Sequence, residues 1–597
     1  MKYQLIAPVT WNNARAQVLF NRGITENQLN KYINASLKDV NSPEAFGVDI
    51  MQKAVQILSK HIKDNSKTII IVDPDVDGNT SSALLLNYLY NFFPQWVSNI
   101  KIYFHDGKQH GLNDCVDYII ENDFKFVLCP DAGSNDKDEC QMLSEHGIEV
   151  LILDHHDFDT KNPYAVIVNN QDGYSNYPNK ALSGVGVVWQ FCRFFDSVMS
   201  TQYADQYLDL VAIGLVADMM DIRSVETKAL IQAGLLNLHN PFLYHMAQKN
   251  AFKLGNKITP TGAAFYIVPL LNAIQRSGTL EEKQLVFKSM VQYYAFEKVP
   301  STKRGHKLGE METIVEQAVR TSTNVKNRQT RVQDASLEKL EKQIKDYNLL
   351  DNCKVLILLL DEKSNVPAEV RGLIANKFMA KYQRPCCILT KNEEYCGQTI
   401  DGDRYEVSYA GSARGCSLAG VTDFKQMCLD SNLIEYAIGH PNAFGLKIYK
   451  RDIPQFIEYM NNALMDMSDE PVYYVDYIFK GQQVDANTLL DIANMENYWG
   501  TELSEPFIAI ESLKITPNMV DIYRKSTNTI KISLTNGVSI MKFNADEDLC
   551  DKLTKNNNGY IEMDIVGKCN KNEWMGNETA QVFIEDFNIT DSNKYYF

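Results

Sequence analysis

The chain has 597 residues, too many for one hydrophobic core, so we expect two to four domains. Hydrophobic residues make up 45% of it, but no stretch approaches the roughly 18 apolar residues of a membrane span. The twelve cysteines include no C-x-x-C pair, which favours reduced thiols in a cytoplasmic protein. The net charge of −16 does not exclude nucleic-acid binding, because local patches bind phosphates.

Residues 1–45 are polar and without a clear period, and we interpret them as an extension packed on the first domain. From residue 46, apolar runs alternate with amphipathic stretches, which predicts a parallel α/β sheet. The predicted strands lie near 68–72, 100–104, 125–129, 149–153 and 165–168. From about 180 to 300 the period is mostly helical and closes this domain.

Carboxylate or imidazole side chains follow three of these strands. They are Asp73, Asp75 and Asp77 after the first, Asp131 after the third, and Asp154, His155 and His156 after the fourth. Because the carboxyl ends of parallel strands share one edge, we expect these groups to converge. Crowded carboxylates repel one another unless they hold cations, and a mixed set with imidazole suits manganese, iron or zinc better than calcium. A single such Asp could be a turn residue or helix cap, but three strand ends are harder to explain that way.

Residues 301–348 are charge-rich and show almost no strand signal. No Pro or Gly occurs between Glu310 and Leu350, which predicts a long connecting helix. The basic run from Lys326 to Arg331 is either a solvated helix face or a functional surface.

A second α/β lobe begins with the apolar run Val355–Leu360. Two glycine-containing segments follow, Gly411–Gly415 and Ile438–Gly445. Small residues let a backbone approach a phosphate, to which Arg414 and His440 can donate hydrogen bonds. Considered alone, each segment is only a glycine-containing turn.

From about residue 470, short stretches alternate apolar and polar residues, which is typical of a small β-barrel of OB type. Such barrels bind single strands by stacking bases on aromatic side chains. Trp574 is placed in a predicted turn, where it serves as a packed hairpin aromatic or as a base platform.

The acidic motifs together resemble those of the DHH phosphoesterases. The matching segments are Asp73-Pro-Asp75-Val-Asp77-Gly78, Asp131-Ala-Gly-Ser, Asp154-His155-His156 and Leu210–Asp218. Within that superfamily the chain resembles the bacterial RecJ type, a single-strand-specific exonuclease. This narrower match rests on His110-Gly111-Leu112, Ala181–Gly186 and Pro269–Arg276. The resemblance runs from about residue 45 to the end.

The resemblance implies a parallel-sheet DHH domain joined by a long helix to a smaller α/β DHH-associated domain, with a C-terminal OB-like barrel. The expected bounds are 1–45 for the extension, 46–300 for the DHH domain, 301–348 for the helix, 349–468 for the DHH-associated domain and 469–597 for the barrel.

The resemblance also implies a metal-dependent 5′-to-3′ exonuclease that hydrolyses single-stranded DNA to 5′ mononucleotides in recombination, repair or replication. Its cofactors would be two divalent ions, manganese or magnesium. We expect a monomer whose substrate is single-stranded DNA and which does not associate with a membrane. Its expected protein partners are single-strand-binding protein or other replication and repair proteins. The alternatives are a phosphodiesterase for short oligoribonucleotides or cyclic dinucleotides, and a non-catalytic scaffold, against which the intact acidic motifs argue.

If the roles of the family's motif residues apply here, Asp73 and Asp75 would bind one ion, and Asp77, His155 and Asp218 would bind the other. Asp131 would bridge both ions. Asp154, His156 and Arg276 would act on ligand orientation or the substrate phosphate. The implied substrate-binding residues are Ser412, Arg414, Gly439, His440 and Trp574.

Three positions depart from the family pattern. Ile438 and Gln275 stand where Gly is common, and Asp221 stands where Pro is usual. Since all implied metal ligands precede residue 220, we expect the barrel to add only remote contacts. A protein cut near residue 470 should then bind long single-stranded DNA more weakly but still cleave short substrates. The alternative is that the barrel packs against the first lobe and holds the cleft open, in which case the cut would stop cleavage of short and long substrates equally.

Overall fold

The structure is a computed structural model. It describes residues 1–105, 107, 109–360, 366–399, 402–465, 472–555 and 559–594, with the side chains of 369, 394–399, 402–405, 418 and 591–594 left out. The chain forms two compact units. The parallel-sheet unit comprises 22–326 and 495–505, and the two-sheet unit comprises 1–21, 327–494 and 506–597.

The N-terminal residues join the two-sheet unit. Strand β1 (Lys2–Leu5) pairs in parallel with a strand near residue 475, and helix α1 (Ala14–Asn21) follows. Tyr3 and Leu5 pack against a small apolar core that contains Val475 and Val566. The expectation that this segment packs on the first domain is therefore wrong for residues 1–21. Four alternating residues are too few to reveal a strand in an otherwise polar sequence.

The parallel-sheet unit contains the strands expected from the apolar runs. They are β2 (Thr68–Val72), β3 (Ile100–Phe104), β4 (Phe126–Pro130), β5 (Glu149–Asp154) and β6 (Val166–Asn169). All pair in parallel in the order β3-β2-β4-β5-β6. Every residue of β2 and β4 is buried, as expected for central strands covered on both faces. The predicted α/β class with a parallel sheet is confirmed.

Helices cover this sheet and complete the unit. The first group is α2 (Glu26–Ile33), α3 (Val48–Lys63), α4 (Val76–Phe92), α5 (Pro94–Val97), α6 (Val116–Glu121), α7 (Lys137–Glu145), α8 (Gly184–Met199) and α9 (Leu208–Ala217). The second is α10 (Val225–Leu236), α11 (Pro241–Lys249), α12 (Ala251–Leu254), α13 (Pro260–Tyr266), α14 (Val268–Ser277), α15 (Leu280–Met290) and α16 (Gln292–Ala295).

The connecting helix is shorter than predicted. Strands β7 (Lys298–Pro300) and β8 (Met311–Thr313) form a hairpin, and helix α17 runs from Ile314 to Asp346. The buried Glu312 carboxylate pairs with Arg320 of the helix and accepts the backbone N–H of Thr302 at 2.9 Å. These contacts hold the hairpin against the start of the helix, a tertiary effect that the charge-rich sequence did not indicate.

The second lobe is the α/β region predicted after the helix. Its elements are α18 (Leu349–Asn352), β9 (Leu356–Leu360), α19 (Ala368–Tyr382), β10 (Cys386–Thr399), β11 (Gly402–Arg414), α20 (Phe424–Asp430), β12 (Ile434–His440), β13 (Ala443–Tyr449) and α21 (Ile453–Ala463). The strand order is β12-β13-β11-β10-β9. The predicted boundary at 468/469 lies outside the described residues.

The C-terminal region is mostly strand. It contains β14 (Val472–Lys480), α22 (Ala486–Ala493), β15 (Phe507–Ile515), β16 (Val520–Arg524), β17 (Asn528–Ser533), β18 (Ser539–Ala545), α23 (Glu547–Thr554), β19 (Gly559–Trp574) and β20 (Asn577–Lys594). The order is β1-β14-β15-β19-β20-β18-β17-β16, with antiparallel pairing at β15-β19-β20. None of the helices in the described part of the chain has the length and apolar character needed to cross a membrane.

Helices α9 and α10 approach each other closely at Gly234. A methyl group at that position would lie 2.7 Å from Cβ of Ala212 and still closer to the carbonyl oxygen of Leu208. Gly234 therefore fixes α10 against α9, the helix that ends immediately before Asp218.

We predict that Gly234→Ala destabilises the protein by about 2 kcal/mol or more, because overpacking outweighs the gain in helix propensity. Ala233→Gly, at the adjacent helical position, should cost about 1 kcal/mol from propensity alone. Chemical denaturation of both variants checks this, since propensity acting alone would make Gly234→Ala stabilising.

Candidate metal centre

The first acidic motif lies at the junction of β2 and α4. Asp73 is buried, and Nδ1 of His110 lies 2.9 Å from its carboxylate. Asp75 caps α4 and accepts the backbone N–H of Gly78 at 2.9 Å. A methyl group on Gly78 would lie 2.5 Å from Cβ of Asp73, so only glycine permits this tight strand-to-helix turn.

Asp77 is held by the N-terminus of α8. Its carboxylate accepts the hydroxyl of Ser183 at 3.0 Å and the backbone N–H groups of Gly184 and Val185 at 2.7 and 3.3 Å. On the other side, a methyl group on Gly214 of α9 would overlap the Asp77 carboxylate. The glycine-containing segment 181–186, which carried no assigned role in the sequence analysis, thus positions an acidic side chain.

Asp131, His155 and Asp218 converge on these residues. Nε2 of His155 lies 3.3 Å from Asp131 Oδ1, 3.4 Å from Asp218 Oδ2 and 4.0 Å from Asp77 Oδ2. Asp131 adopts a left-handed φ of 68° after β4, and its N–H donates to the carbonyl of Leu153 at 2.8 Å. A methyl group on Gly184 would lie 2.5 Å from Cγ of Asp131.

The side chains form overlapping sets whose candidate ligand atoms lie within 4.8 Å of one another. These sets are Asp73, Asp75 and Asp131; Asp77, His155 and Asp218; and Asp131, His155 and His156. All the metal ligands implied by the family resemblance are therefore brought together, with Asp131 common to two sets.

The ionisation of this cluster reflects burial and mutual repulsion. Burial and the neighbouring Asp77 raise the pKa of Asp131 well above its usual value. Burial and nearby carboxylates also raise the pKa of Asp218 to about 8 and that of Asp75 to about 6. Burial lowers the pKa of His155, which favours the neutral imidazole that binds metals.

Several candidate ligand atoms of the cluster are buried without a hydrogen-bond partner in the described part of the chain. Among the described residues, both oxygens of Asp131, Nε2 of His155 and Oδ2 of Asp218 are buried without a hydrogen-bond partner. Buried polar groups of this kind are costly unless they are paired or coordinate a metal. Oxygen and imidazole donors at this spacing fit divalent cations.

Asp154 lies beside the cluster and orients it. Its carboxylate accepts the N–H of His155 at 2.7 Å and that of Ser134 at 3.1 Å, and lies 2.8 Å from Nδ1 of His156. Burial opposes ionisation of Asp154, but the bond from His156 holds its pKa well below the usual range. Burial likewise opposes protonation of His156, yet Asp154 raises the pKa of His156 to about 9.

Two residues that the sequence did not indicate support His155 and His156. Asn169, at the end of β6, donates to the Ser134 hydroxyl at 2.9 Å and the His156 carbonyl at 3.0 Å. Gln171 donates to the carbonyl of His155 at 2.7 Å. Asn169 directly follows the strand predicted at 165–168, at the same sheet edge as the acidic motifs, so the rule that polar groups after parallel strands converge could have identified it.

A cavity of about 470 Å³ opens beside these groups. His110, Ser134, Asp154 and His156 line it. The loop that carries His110 is fixed by Asp136, which accepts the N–H of Leu112 at 2.7 Å. The cavity brings the two histidines to the rim of the acidic cluster, where a substrate group can enter.

The remaining predicted site residues lie on other elements of the chain. Arg276 is exposed near the end of α14 in the parallel-sheet unit. In the two-sheet unit, Ala443 of β13 pairs with both Arg414 and His440, so these two share one end of the second-lobe sheet.

Ser412 pairs with Gly445 further along the same strands, and Gly439 takes a left-handed φ of 132° beside His440. Trp574 is 71% exposed at the tip of the β19–β20 hairpin, so it is not the packed aromatic that was one of its two interpretations.

The carboxylates and paired histidines at the edge of a parallel sheet define a DHH-type phosphoesterase. Two family models match: the DHH family N-terminal domain over residues 67–215 and the RecJ OB domain over 475–586. The second match confirms the predicted OB-type region.

Over 592 residues the chain is 31% identical to YorK of Bacillus subtilis (strain 168), covering 99% of this chain and 98% of YorK. YorK is SPbeta prophage-derived and is provisionally named a single-strand DNA-specific exonuclease. The chain is also 23% identical over 569 residues to the single-stranded-DNA-specific exonuclease RecJ of the same strain, covering 93% of this chain and 65% of that protein. The chain therefore belongs to the RecJ-type family of DHH phosphoesterases.

Solved structures show the same fold. The crystal structure of RecJ in complex with Mn²⁺ from Thermus thermophilus aligns with a TM-score of 0.68 at 18% identity, covering 97% of this chain and 76% of that one. The same protein in complex with Mg²⁺ aligns with a TM-score of 0.62 at 16% identity, covering 100% of this chain and 79% of that one.

We predict that the metal-free protein loses stability as the pH rises from about 4 to about 8. The carboxyl pKa values of Asp75, Asp131 and Asp218 are raised above 3.8 on folding, so these groups bind more protons in the folded state than in the unfolded state in this window, and their contribution to the free energy of unfolding falls with pH. The raised pKa of His156 acts in the same direction between 6.5 and about 9. Denaturation in the presence of a chelator measures the slope.

Asp131→Asn should reduce this loss, because it removes one buried ionisation. Asp123→Asn is the matched control, since that exposed carboxylate pairs with Lys125 and its pKa is lowered. An unchanged slope in Asp131→Asn would show that Asp131 does not contribute to the repulsion.

Proposed function

We propose that this protein is a metal-dependent exonuclease that hydrolyses single-stranded DNA in the 5′-to-3′ direction and releases 5′ mononucleotides. The observation that carries this proposal is the convergence of Asp73, Asp75, Asp77, Asp131, His155 and Asp218 with buried, unsatisfied ligand atoms. Membership of the RecJ-type family and the names of the relatives support the substrate class.

We propose two divalent ions, with Mn²⁺ or Mg²⁺ as the cofactor. The set with Asp73 and Asp75 would hold one ion, the set with Asp77, His155 and Asp218 would hold the other, and Asp131 would bridge them. Divalent ions at such a site lower the pKa of water and offset charge on a phosphate. The crystal structures of the Thermus protein with Mn²⁺ and with Mg²⁺ support this choice.

The chain's own residues would prepare the site for a phosphodiester. Neutral His155 offers Nε2 as a ligand atom, and Asp154 fixes both its backbone and the His156 ring. His156, with a pKa raised to about 9, is protonated at neutral pH and can donate a hydrogen bond to a phosphate oxygen at the cavity rim.

The second lobe would grip the DNA backbone. Arg414 and His440 share one strand end, where Gly439 and Ser412 leave little side-chain bulk, so a phosphate can reach their donor groups. Arg276 would contribute a further cationic contact, and exposed Trp574 would stack on a base. We further propose a cytoplasmic monomer that acts in recombination, repair or replication, with single-strand-binding protein or related proteins as partners.

Labelled oligonucleotides test the proposal directly. Long single-stranded DNA carrying a 5′ label should release labelled mononucleotide at once in Mn²⁺, whereas a 3′ label should appear late and duplex DNA should resist. Preferential cleavage of a dinucleotide or short oligoribonucleotide would instead favour a small-substrate phosphodiesterase. No cleavage of any substrate in Mn²⁺ or Mg²⁺ would favour a scaffold.

We predict that Asp131→Asn lowers kcat by more than about 100-fold, because losing a ligand proposed to bridge both ions should cost more than losing a residue that only hydrogen-bonds to a ligand. Circular dichroism should show a folded protein, since the substitution preserves the side-chain shape. Asp123→Asn should retain full activity. Normal turnover of Asp131→Asn in Mn²⁺ would contradict the two-ion arrangement.

Arg414→Ala and His440→Ala should each raise KM for single-stranded DNA by about 10-fold or more, as expected for a lost charged hydrogen bond. Mn²⁺ affinity measured by calorimetry should stay unchanged, because neither residue belongs to the acidic cluster. Arg451→Ala is the matched control, an exposed cation of the same lobe that pairs with Glu406. A collapse of Mn²⁺ affinity would place Arg414 or His440 in the metal site.

A further inference from the structure

Residues 495–505 form an inserted segment of the parallel-sheet unit, although residues 494 and 506 on either side belong to the two-sheet unit. The side chains of Met495 and Leu503 are fully buried, and those of Tyr498 and Trp499 are nearly so. Part of the C-terminal half of the chain is thus built into the unit that carries the acidic cluster.

Hydrogen bonds from distant parts of the unit hold the inserted segment. Arg22 Nε donates to the carbonyl of Ser504 at 2.8 Å, Gln232 Nε2 to that of Asn497 at 3.2 Å, and the Thr261 hydroxyl to that of Trp499 at 3.2 Å. Gly500 and Leu503 exchange backbone hydrogen bonds of 3.1 Å, which closes a tight turn.

The turn reaches the loop that follows Asp218. Buried Ile222 donates its N–H to the Thr501 carbonyl at 3.2 Å, and its own carbonyl accepts the Tyr32 hydroxyl at 3.0 Å. Gly500 faces the Ile222 side chain, and a methyl group there would already lie 3.4 Å from Cδ1. Both the N–H and the carbonyl of Ile222 therefore make hydrogen bonds, four residues after the candidate metal ligand Asp218.

Tyr32 is itself locked in place. Its ring lies 4.1 Å from Nζ of the buried Lys228, which lies 3.9 Å from the ring of Tyr498. The Lys228 amine also donates to the Tyr32 carbonyl, and the Tyr498 hydroxyl donates to the carbonyl of Ile33 at 3.3 Å. Because a cation between two aromatic rings favours one arrangement, the Tyr32 hydroxyl has a fixed position.

The loop between Asp218 and Ile222 requires such an anchor. Asp218 is the C-cap residue that follows α9, and Met219 comes next with a left-handed φ of 56° and a largely exposed side chain. A non-glycine residue in that conformation persists only when its surroundings impose it. Asp221, which departs from the family pattern, accepts a hydrogen bond from Arg223. The exposed Arg223–Glu502 ion pair at 3.5 Å contributes little to holding the loop.

We propose that Tyr32 and the inserted segment are positioning elements for Asp218. They hold the far end of its loop at Ile222, and so keep the carboxylate facing His155 and Asp77. This inference rests on the proposed function of the metal centre. It also overturns the expectation that the chain beyond residue 470 adds only remote contacts, because a cut there removes part of the parallel-sheet unit.

Tyr32→Phe in the full-length protein tests the proposal, because it removes the hydroxyl and keeps the ring beside Lys228. We expect Mn²⁺ affinity, measured by calorimetry, to fall about 5-fold, somewhat less than the ~10–100-fold typical of groups that bond a ligand directly. On single-stranded DNA, kcat should fall while KM stays the same. Tyr3→Phe is the matched control, since its hydroxyl bonds Glu511 at 3.3 Å in the two-sheet unit.

A second variant replaces residues 497–503 with a glycine-serine segment of equal length. If this variant folds, its Mn²⁺ affinity should be lower by about 10-fold or more. If it does not fold, the Mn²⁺ affinity of Tyr32→Phe by itself tests the proposal. Wild-type Mn²⁺ affinity in Tyr32→Phe, even with a lower melting temperature, would show a merely structural role and overturn the inference. Failure of the wild-type protein to bind Mn²⁺ would instead overturn the proposed function.

Discussion

The structure depends on carboxylates that are buried close together despite their mutual repulsion. Asp73, Asp77 and Asp131 are almost completely buried at one edge of the parallel sheet. Repulsion between like charges grows as water is excluded, so this edge is unfavourable when its carboxylates are ionised and no cation is present. A divalent cation reverses the sign of the local interaction, and much of the surrounding architecture serves to keep the carboxylates together until one binds.

Glycine residues make room for these carboxylates, and backbone N–H groups donate hydrogen bonds to one of them. Gly78, Gly184 and Gly214 each leave space that a methyl group would take from Asp73, Asp131 or Asp77. The N-terminus of α8 donates to Asp77, where the positive end of the helix dipole offsets negative charge. The negative net charge of the chain is thus compatible with phosphate chemistry, because part of the acid is placed to hold cations.

The parallel-sheet unit is discontinuous in sequence. Residues 495–505, from the C-terminal region, belong to it, whereas the N-terminal residues 1–21 belong to the two-sheet unit. Both regions that were predicted to be peripheral therefore complete another unit: the extension supplies an edge strand of the two-sheet unit, and the barrel region contains a segment of the unit that carries the acidic cluster. A domain defined by a continuous range of residues would misplace both.

The sequence by itself determined the sheet, the strand ends and the membership of the acidic set. Runs such as Thr68–Val72 and Phe126–Pro130 are apolar enough to be recognised as buried strands, and parallel strands must place their carboxyl ends at one edge. The identity of the candidate ligands follows from that rule together with the family resemblance.

Only the tertiary structure decided what holds these groups in place. The use of Ile222 by Tyr32 and Thr501 and the contact of α8 with Asp77 join residues far apart in the chain. The start of helix α17 depends on its packing against the β7–β8 hairpin. Local propensity and periodicity carry no information about such contacts, because they arise from packing between elements. The sequence therefore showed where the chemistry lies, and the fold showed what supports it.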